Sequence, residues 1–133
     1  KLDALGKYGV TVLNNKAFKF KEINFIGISD NVKVNRQIEI TQALLNESQF
    51  NFVLVHKPSL WKFVYKRIDF MMSGHTHNGQ IFPFNFFVRF KYKEIYGLYE
   101  LLASKLYVSS GSGCWGPRMR LGSRNEVVEV LIC

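Results

Sequence analysis

Residues 68–80 read Ile-Asp-Phe-Met-Met-Ser-Gly-His-Thr-His-Asn-Gly-Gln, an apolar run that leads directly into a loop with two histidines. The apolar run is typical of a short strand buried on both faces, as found in parallel sheets. Gly74 and Gly79 bracket the loop and let the backbone turn sharply on either side of His75 and His77. This stretch therefore predicts a buried strand whose carboxyl end carries a pair of imidazoles.

Three further strands are predicted upstream of this stretch. Residues 52–55 are Phe-Val-Leu-Val, a second continuous apolar run of the buried type, and the run ends at His56. Residues 17–21 and 23–28 predict two strands in a hairpin-like arrangement. A glycine inside the second of these, Gly27, indicates a bulge or a close approach of another backbone segment.

The clearest helix covers residues 35–48, where Ile38 and Leu44 lie on an apolar face and Thr41 falls on the other side. Pro58 opens a second, shorter helix at its first turn. The order is strand, helix, strand, helix, strand, followed by further strands. This order predicts an α/β layered architecture rather than an all-β sandwich.

The remaining segments have weaker patterns. Residues 2–8 have the spacing of a helix end closed by Gly9, and residues 82–99 predict a long aromatic loop or loosely ordered strands. Three further segments have a strand pattern: residues 10–13, 105–109 and 127–132. The sequence contains no internal repeat and no low-complexity linker. We therefore expect residues 1–133 to form one domain, or part of one.

All three histidines of the chain follow predicted strands. The ligand crevice of open α/β sheets lies at the carboxyl ends of strands, so His56, His75 and His77 are expected to surround one point. In an extended segment residues i and i+2 point the same way, so His75 and His77 would reach one metal ion or two neighbouring ions. A single histidine at a strand end is more often a hydrogen-bonded core or loop residue. The joint placement of three imidazoles, a common metal ligand, is what predicts a metal site.

The histidine loop, residues 74–80, resembles the GHTHxGQ motif of calcineurin-like metallophosphoesterases, in a bacterial branch that also contains membrane-associated phosphohydrolases. Residues 53–58, Val-Leu-Val-His-Lys-Pro, resemble that family's strand ending in His, followed by a polar residue and Pro. Other parts of the family's pattern are similar to residues 26–30, 107–111, 117–118 and 125–127. The segments occur in the family's order over nearly the whole chain, and the histidine loop is the most specific of them.

The resemblance implies a fold and a chemistry. The fold would be the C-terminal half of a four-layer α/β/β/α sandwich. His56 and His75 would ligate one divalent ion and His77 a second, the two being Mn²⁺, Fe or Zn²⁺. Such a site hydrolyses phosphoesters because the ions lower the pKa of a bound water and neutralise charge on the phosphoryl oxygens. The intact protein is thus expected to be a metal-dependent phosphohydrolase with a binuclear site.

The family's first-half motifs, Asp-x-His, Gly-Asp-x-x-Asp and Gly-Asn-His-Asp or Gly-Asn-His-Glu, do not occur in this sequence. The bridging carboxylate, the Asn ligand and the His thought to protonate the leaving group would then be absent, so the catalytic residue is unknown. We expect residues 1–133 to be the C-terminal part of a larger enzyme. Without the rest of that enzyme, this part should bind metal weakly and catalyse poorly. Asp30 ends a strand and could supply a carboxylate or be a turn residue, whereas Asp69 begins its strand at the wrong end.

The formal net charge of +8 favours anionic partners, although a solvated basic surface is the simpler alternative. The resemblance favours a phosphorylated small molecule or a phospholipid as substrate, with nucleic acid less favoured. The loop at residues 110–117 lacks the ending of a P-loop. Arg118 and Asn78 are the predicted substrate-binding residues, and an arginine there would hold a phosphate bidentately.

An aromatic and basic segment follows the histidine loop directly. Its members are Phe82, Phe84, Phe86, Phe87, Arg89, Phe90, Lys91 and Lys93. Such a segment fits a lipid surface, stacked nucleotides, or a cover over the sheet, and we rank lipid ahead of nucleic acid.

No apolar run is long enough to span a bilayer, and neither cysteine lies in a CxxC pair. We expect a cytoplasmic protein or one attached peripherally to a membrane. A non-catalytic interaction scaffold of the same fold and a basic nucleic-acid-binding module are the rival functions.

Overall fold

The computed structural model describes residues 2–132, which form one six-stranded sheet with helices. The strands are β1 (Lys16–Phe20), β2 (Ile23–Ile28), β3 (Phe50–Val55), β4 (Phe70–Ser73), β5 (Gly97–Leu101) and β6 (Ser104–Val108). The α-helices are α1 (Val34–Leu44), α2 (Trp61–Val64) and α3 (Asn85–Lys91), and short 3₁₀ helices cover Leu2–Tyr8, Pro58–Leu60 and His77–Gly79. The α/β class predicted from the sequence is confirmed.

The strand order is β1-β2-β3-β4-β6-β5. The four central strands, β2, β3, β4 and β6, are parallel, and β1 and β5 close the two edges in antiparallel pairs. Parallel neighbours require crossovers, which α1, α2 and the segment containing α3 supply. All four central strands therefore end at the same edge of the sheet, and this edge carries the candidate site.

The core lies between one face of the sheet and the helices α1 and α2. Ile26, Val53, Met71 and Leu106 are fully buried and stand side by side on the four central strands. Leu60, Trp61 and Val64 pack onto this row from the short helices. Burying such side chains stabilises the fold by about 1.5–3 kcal/mol each.

The opposite face of the sheet is more open. A row of rings crosses it, with centroids 5.3 Å apart between Phe25 and Phe52 and 4.8 Å apart between Phe52 and Phe70. Leu54, in the same strand as Phe52, is 37% exposed. The prediction that residues 52–55 are buried on both faces is therefore correct for Phe52, Val53 and Val55 and wrong for Leu54, because no second layer within residues 2–132 covers Leu54.

The predicted β1–β2 hairpin and the close approach at Gly27 are both confirmed. A Cβ atom added at Gly27 would collide with the side chain and carbonyl of Leu13. The segment containing Leu13 thus lies directly against the strand. Residues 10–13 were predicted as a strand, and this is wrong, because they pair with no other strand in the described chain.

Helix α1 is confirmed but shorter than predicted, and its buried face differs from the prediction. Thr41 is 0% exposed and Gln37 is also buried, whereas Ile38 and Leu44 are only partly buried. The Thr41 hydroxyl donates a hydrogen bond to the Gln37 carbonyl. That bond satisfies the hydroxyl inside the helix, so a polar side chain tolerates burial there.

Two predictions in the second half of the chain are wrong. Residues 82–99 contain α3 and β5 rather than a long loop or loose strands alone. Residues 127–132 form no strand, and Val127 is almost fully exposed. The predicted strand at residues 105–109 is confirmed as β6. Among residues 2–132 there is no helix with the length and hydropathy that crossing a bilayer requires.

Candidate metal centre

The histidines lie at the edge where the parallel strands end. His56 directly follows β3, and His75 and His77 follow β4 after Gly74. The Gly74 amide donates a hydrogen bond to the His56 carbonyl at 3.0 Å, which continues the pairing of the two strands past their ends. The sheet itself therefore fixes the spacing between His56 and the histidine loop.

His56 and His75 form a close pair. Nδ1 of His75 lies 3.1 Å from Nε2 of His56, and the two rings meet edge to face with centroids 4.9 Å apart. The other nitrogen of His75, Nε2, lies 2.9 Å from the hydroxyl of Tyr92. When Nε2 donates its proton to that hydroxyl, the lone pair of His75 is on Nδ1, facing His56.

His77 lies outside this hydrogen-bonded pair, and the extended segment assumed for His75 and His77 is not observed. His75 and His77 have φ angles of 72° and 49°, and Thr76 between them is in the right-handed helical region. The spacing of the two histidines therefore does not by itself give their rings a common direction. Within the described chain, no group of three or more His, Cys, Asp or Glu residues is arranged to hold a metal ion.

The histidine loop has an unusual backbone. Besides the two histidines, Asn78 and Gln80 also have φ angles near +50°, which residues other than glycine rarely adopt. Gly79 is required as glycine, because a Cβ atom there would collide with Asn85 of α3. Strain of this kind persists where the surroundings over-determine the conformation, and it is concentrated at functional sites.

Two polar side chains that were not predicted as functional residues hold the loop in place. Thr76 is buried and its hydroxyl donates to the Ile95 carbonyl. The buried Gln80 amide donates to the Trp115 carbonyl at 2.7 Å and accepts from the Trp115 amide at 2.6 Å. The loop therefore contains two candidate ligands, His75 and His77, and two residues that fix its position, Thr76 and Gln80. Thr76 and Gln80 are both fixed positions of the motif at residues 74–80, and that motif is the sequence signal that could have identified them.

Arg120 is the centre of the neighbouring loop. Its guanidinium donates to the carbonyls of Ser110 and Gly111 at 2.8 and 3.1 Å and to that of Gly113. It also lies 3.4 Å from Nδ1 of His77. A guanidinium can only donate, so a hydrogen bond from Arg120 to Nδ1 would put the proton of neutral His77 on Nε2, and Nε2 could bind a metal only in the other tautomer.

The two predicted substrate-binding residues lie apart. Asn78 lines a shallow recess with Ser110, Ser123 and Arg124, beside the histidine loop. Arg118 is exposed and does not line that recess. The structure thus places Asn78 next to His77, and it gives the neighbouring Arg120, rather than Arg118, the contact with the histidine loop.

Burial and neighbouring positive charge lower the pKa of His75 and of His77. The pKa of His75 is lowered by burial, and then by the proximity of His56 and Lys57. The pKa of His77 is lowered by burial and by Arg120. Asp30, the predicted carboxylate candidate, forms an ion pair with Lys57 at 2.9 Å. Asp69 lies at the opposite end of its strand, as predicted, and accepts a hydrogen bond from the Asn51 amide.

Glu126 links the C-terminal segment to the loop that contains Ser110. We therefore expect the stability of the fold to decrease in acid. Burial raises its pKa, but hydrogen bonds from the Ser110 amide and from Tyr96 and Tyr107 outweigh burial and lower the pKa below 4.5. A carboxylate with a depressed pKa stabilises the fold above its unfolded-state pKa, and this contribution is lost as the pH falls through the folded-state pKa. Glu126→Gln should therefore lower the free energy of unfolding at neutral pH and have no such effect in acid, as measured by urea unfolding. The matched control is Glu129→Gln on the same exposed segment; an equal effect of both substitutions would contradict the role of Glu126.

The His56–His75 pair fits a divalent ion. Nitrogens that bind one ion at about 2.0–2.1 Å lie about 3.0–3.4 Å apart, and the observed separation is 3.1 Å. Nitrogen ligands suit Zn²⁺ and Fe better than Mg²⁺. His77 offers a separate nitrogen on the same loop. The residues therefore fit one end of a metal site, with further ligands to be supplied from elsewhere.

Known proteins similar to this chain include bacterial metallophosphoesterases. An uncharacterized metallophosphoesterase of Campylobacter jejuni is 37% identical over 96% of this chain and 36% of its own length. Another, of Helicobacter pylori, is 34% identical over 95% of the chain and 36% of its length, and one of Aquifex aeolicus is 33% identical over 98% and 54%. No family model and no solved structure gives a match.

The chain spans about a third of the length of the first of these relatives, 36% in each case. Their similarity nevertheless covers almost all of this chain, including the strands and the histidine loop described above. These relatives are similar to nearly the whole of this chain, and they support its relationship to the calcineurin-like metallophosphoesterase family.

Proposed function

We propose that the intact protein hydrolyses a phosphoester with two divalent metal ions, and that this chain supplies three of the ligands. His56 and His75 would hold one ion and His77 the other. The observation that carries the proposal is the contact of 3.1 Å between Nδ1 of His75 and Nε2 of His56, at the edge where the parallel strands end.

The arrangement around the pair supports a ligand role. The Tyr92 hydroxyl engages Nε2 of His75 at 2.9 Å and so directs the other nitrogen towards His56. A metal-binding histidine almost always donates the N–H of its second nitrogen to a hydrogen-bond acceptor, and a tyrosine hydroxyl can be that acceptor. Divalent ions held there would supply a water of lowered pKa and would neutralise charge on the phosphoryl oxygens.

The substrate would contact the chain beside His77. Asn78 lines the recess next to the histidine loop, together with Ser110 and Arg124, and offers an amide to a phosphoryl oxygen. Arg118, exposed on the adjoining loop, would provide a second, charged contact. Arg120 positions the loop instead, since its guanidinium already bonds several carbonyls.

The test is hydrolysis of bis(p-nitrophenyl) phosphate by the natural full-length protein, with Mn²⁺ or Zn²⁺ added or removed by a chelator. We expect turnover that disappears on chelation and returns when the metal is restored. Residues 1–133 alone should show little turnover, because two or three imidazoles without a carboxylate make a weak site. Turnover that is unaffected by chelation would contradict metal-dependent hydrolysis. Metal binding without any turnover would favour a scaffold of the same fold.

A further inference from the structure

Helix α3 and the residues before it expose an unusual number of phenylalanine rings. Phe90 is 89% exposed and Phe87 is 65% exposed. The rings with more than half of their surface in solvent are Phe82, Phe84, Phe86, Phe87 and Phe90, which we term the phenylalanine face. Single exposed apolar residues are common, but five within nine residues form a patch of the kind that marks an interaction site.

The phenylalanine face lies on the outer side of α3. Asn85, Val88 and Tyr92 are the partly buried positions of this segment, and their spacing puts them on one side of the helix. Asn85 abuts Gly79, and Tyr92 bonds His75. Phe87 and Phe90 fall on the side opposite to these contacts. The helix is thus anchored through its polar side and presents its aromatic side to the surroundings.

Positive charge surrounds the phenylalanine face. Arg89, Lys91 and Lys93 lie on or next to α3 and are exposed. Glu94 is the single acidic residue between positions 80 and 98. The whole chain has a formal net charge of +8, so the patch lies in a positive field that attracts anionic partners.

We propose that the phenylalanine face and its three basic neighbours dock on an anionic lipid surface. Aromatic rings that insert at the headgroup boundary, together with cations that contact the headgroups, are the combination by which a helix lies in a membrane interface. A second copy of the chain is a poor occupant, because two faces with the same positive charge repel each other. The rings also contact one another in pairs, Phe82 with Phe86 and Phe84 with Phe87, which forms a compact apolar surface rather than separate platforms for bases.

Docking of this kind would bring the candidate metal centre close to the lipid headgroups. Tyr92 follows α3 directly, and its hydroxyl lies 2.9 Å from Nε2 of His75. The surface proposal does not depend on metal binding or on hydrolysis, because the docking residues and the histidines are different side chains. Each can be tested without the other.

The experiment is co-sedimentation of the full-length protein with vesicles, in the presence of a chelator. Vesicles made of equal parts of phosphatidylcholine and phosphatidylglycerol should bind the protein, and vesicles of phosphatidylcholine alone should not. The double variant Phe87→Ser and Phe90→Ser should lower binding by about tenfold or more, because serine cannot insert into the interface. Both positions are exposed, so circular dichroism should show an unchanged fold. Arg89→Glu with Lys91→Glu should weaken binding to anionic vesicles and reduce its dependence on salt.

The matched control is Phe18→Ser with Phe20→Ser, which removes two exposed rings from the edge strand β1. This variant should bind vesicles like the unmodified protein. Equal loss in both double variants, or no binding of the unmodified protein to anionic vesicles, would overturn the proposal. Binding to single-stranded RNA that is lost in the Phe87 and Phe90 variant, without vesicle binding, would overturn it in favour of a nucleic-acid surface.

Discussion

Replacement of His75 by alanine should lower the affinity of the protein for Zn²⁺ or Mn²⁺ by about 100-fold or more. The loss of an outer partner of a ligand already costs about 10–100-fold, so the loss of a ligand itself should cost at least as much. Both nitrogens of His75 are engaged, one 3.1 Å from His56 and the other 2.9 Å from Tyr92. Isothermal titration calorimetry with each metal measures the change directly. Metal-dependent hydrolysis by the full-length protein should fall with it.

Two further variants separate the loss of the ligand from other causes. His75 has a φ angle of 72°, and asparagine adopts this conformation more readily than alanine does. Equal loss of affinity in His75→Ala and His75→Asn would therefore assign the effect to the imidazole and not to backbone strain. Tyr92→Phe keeps the ring and removes the hydroxyl, so it should cost about tenfold. Unchanged affinity in His75→Ala would show that the His56–His75 pair does not bind the metal.

The sequence was sufficient to predict the parts of the fold that depend on local pattern. The strands β2, β3, β4 and β6 are short apolar runs bounded by glycine or polar residues, and the position of each was predicted to within two residues. The parallel arrangement of β2, β3 and β4 follows from the helices predicted between them. The position of His56 and the histidine loop at one sheet edge could be predicted for the same reason, since each follows a strand directly.

The sequence could not predict elements whose formation depends on distant partners. Residues 127–132 have the composition of a strand, but no neighbouring strand accepts their hydrogen bonds, and the segment is held instead by Glu126. Helix α3 is unexpected because its phenylalanines give no amphipathic pattern with an apolar inner side. Its inner side is the polar pair Asn85 and Tyr92 with Val88, which contact the histidine loop.

The backbone conformation of the histidine loop also depends on distant partners. The spacing of His75 and His77 predicts a common direction only in an extended segment. Gln80 and Thr76 are bonded to residues 15 or more positions away in the chain, and these contacts hold the loop in a left-handed conformation. A pattern of neighbouring residues contains no information on such contacts. Tyr92 and Arg120, which contact the two histidines, could not be assigned from the sequence for this reason.

Substitution of Trp61 by alanine should have the largest effect on stability, about 3–5 kcal/mol of the free energy of unfolding. Trp61 is 5% exposed and packs from α2 onto the sheet. Its indole nitrogen donates to the Ser104 hydroxyl at 3.0 Å, and that serine is fully buried at the start of β6. Alanine would leave a cavity beneath the central strands and a serine without its donor. Urea unfolding measures the change, provided that the slope of the free energy of unfolding against urea concentration is the same in both proteins. The control is Phe63→Ala in the same helix, where the ring is 49% exposed and the expected change is within about 0.5 kcal/mol.

A double-mutant cycle divides the effect of Trp61 between the cavity and the hydrogen bond. Trp61→Phe keeps most of the side-chain volume but leaves the Ser104 hydroxyl without its hydrogen-bond donor. This loss should lower the free energy of unfolding by about 1–3 kcal/mol. Adding Ser104→Ala removes the stranded group, so the double variant should recover part of that loss. Because β6 pairs with β4, and β4 leads into the histidine loop, this contact connects the helical layer to the candidate metal centre. If Trp61→Ala lowered the free energy of unfolding by less than about 1 kcal/mol, burial of Trp61 against the central strands would not be what holds the helices on the sheet.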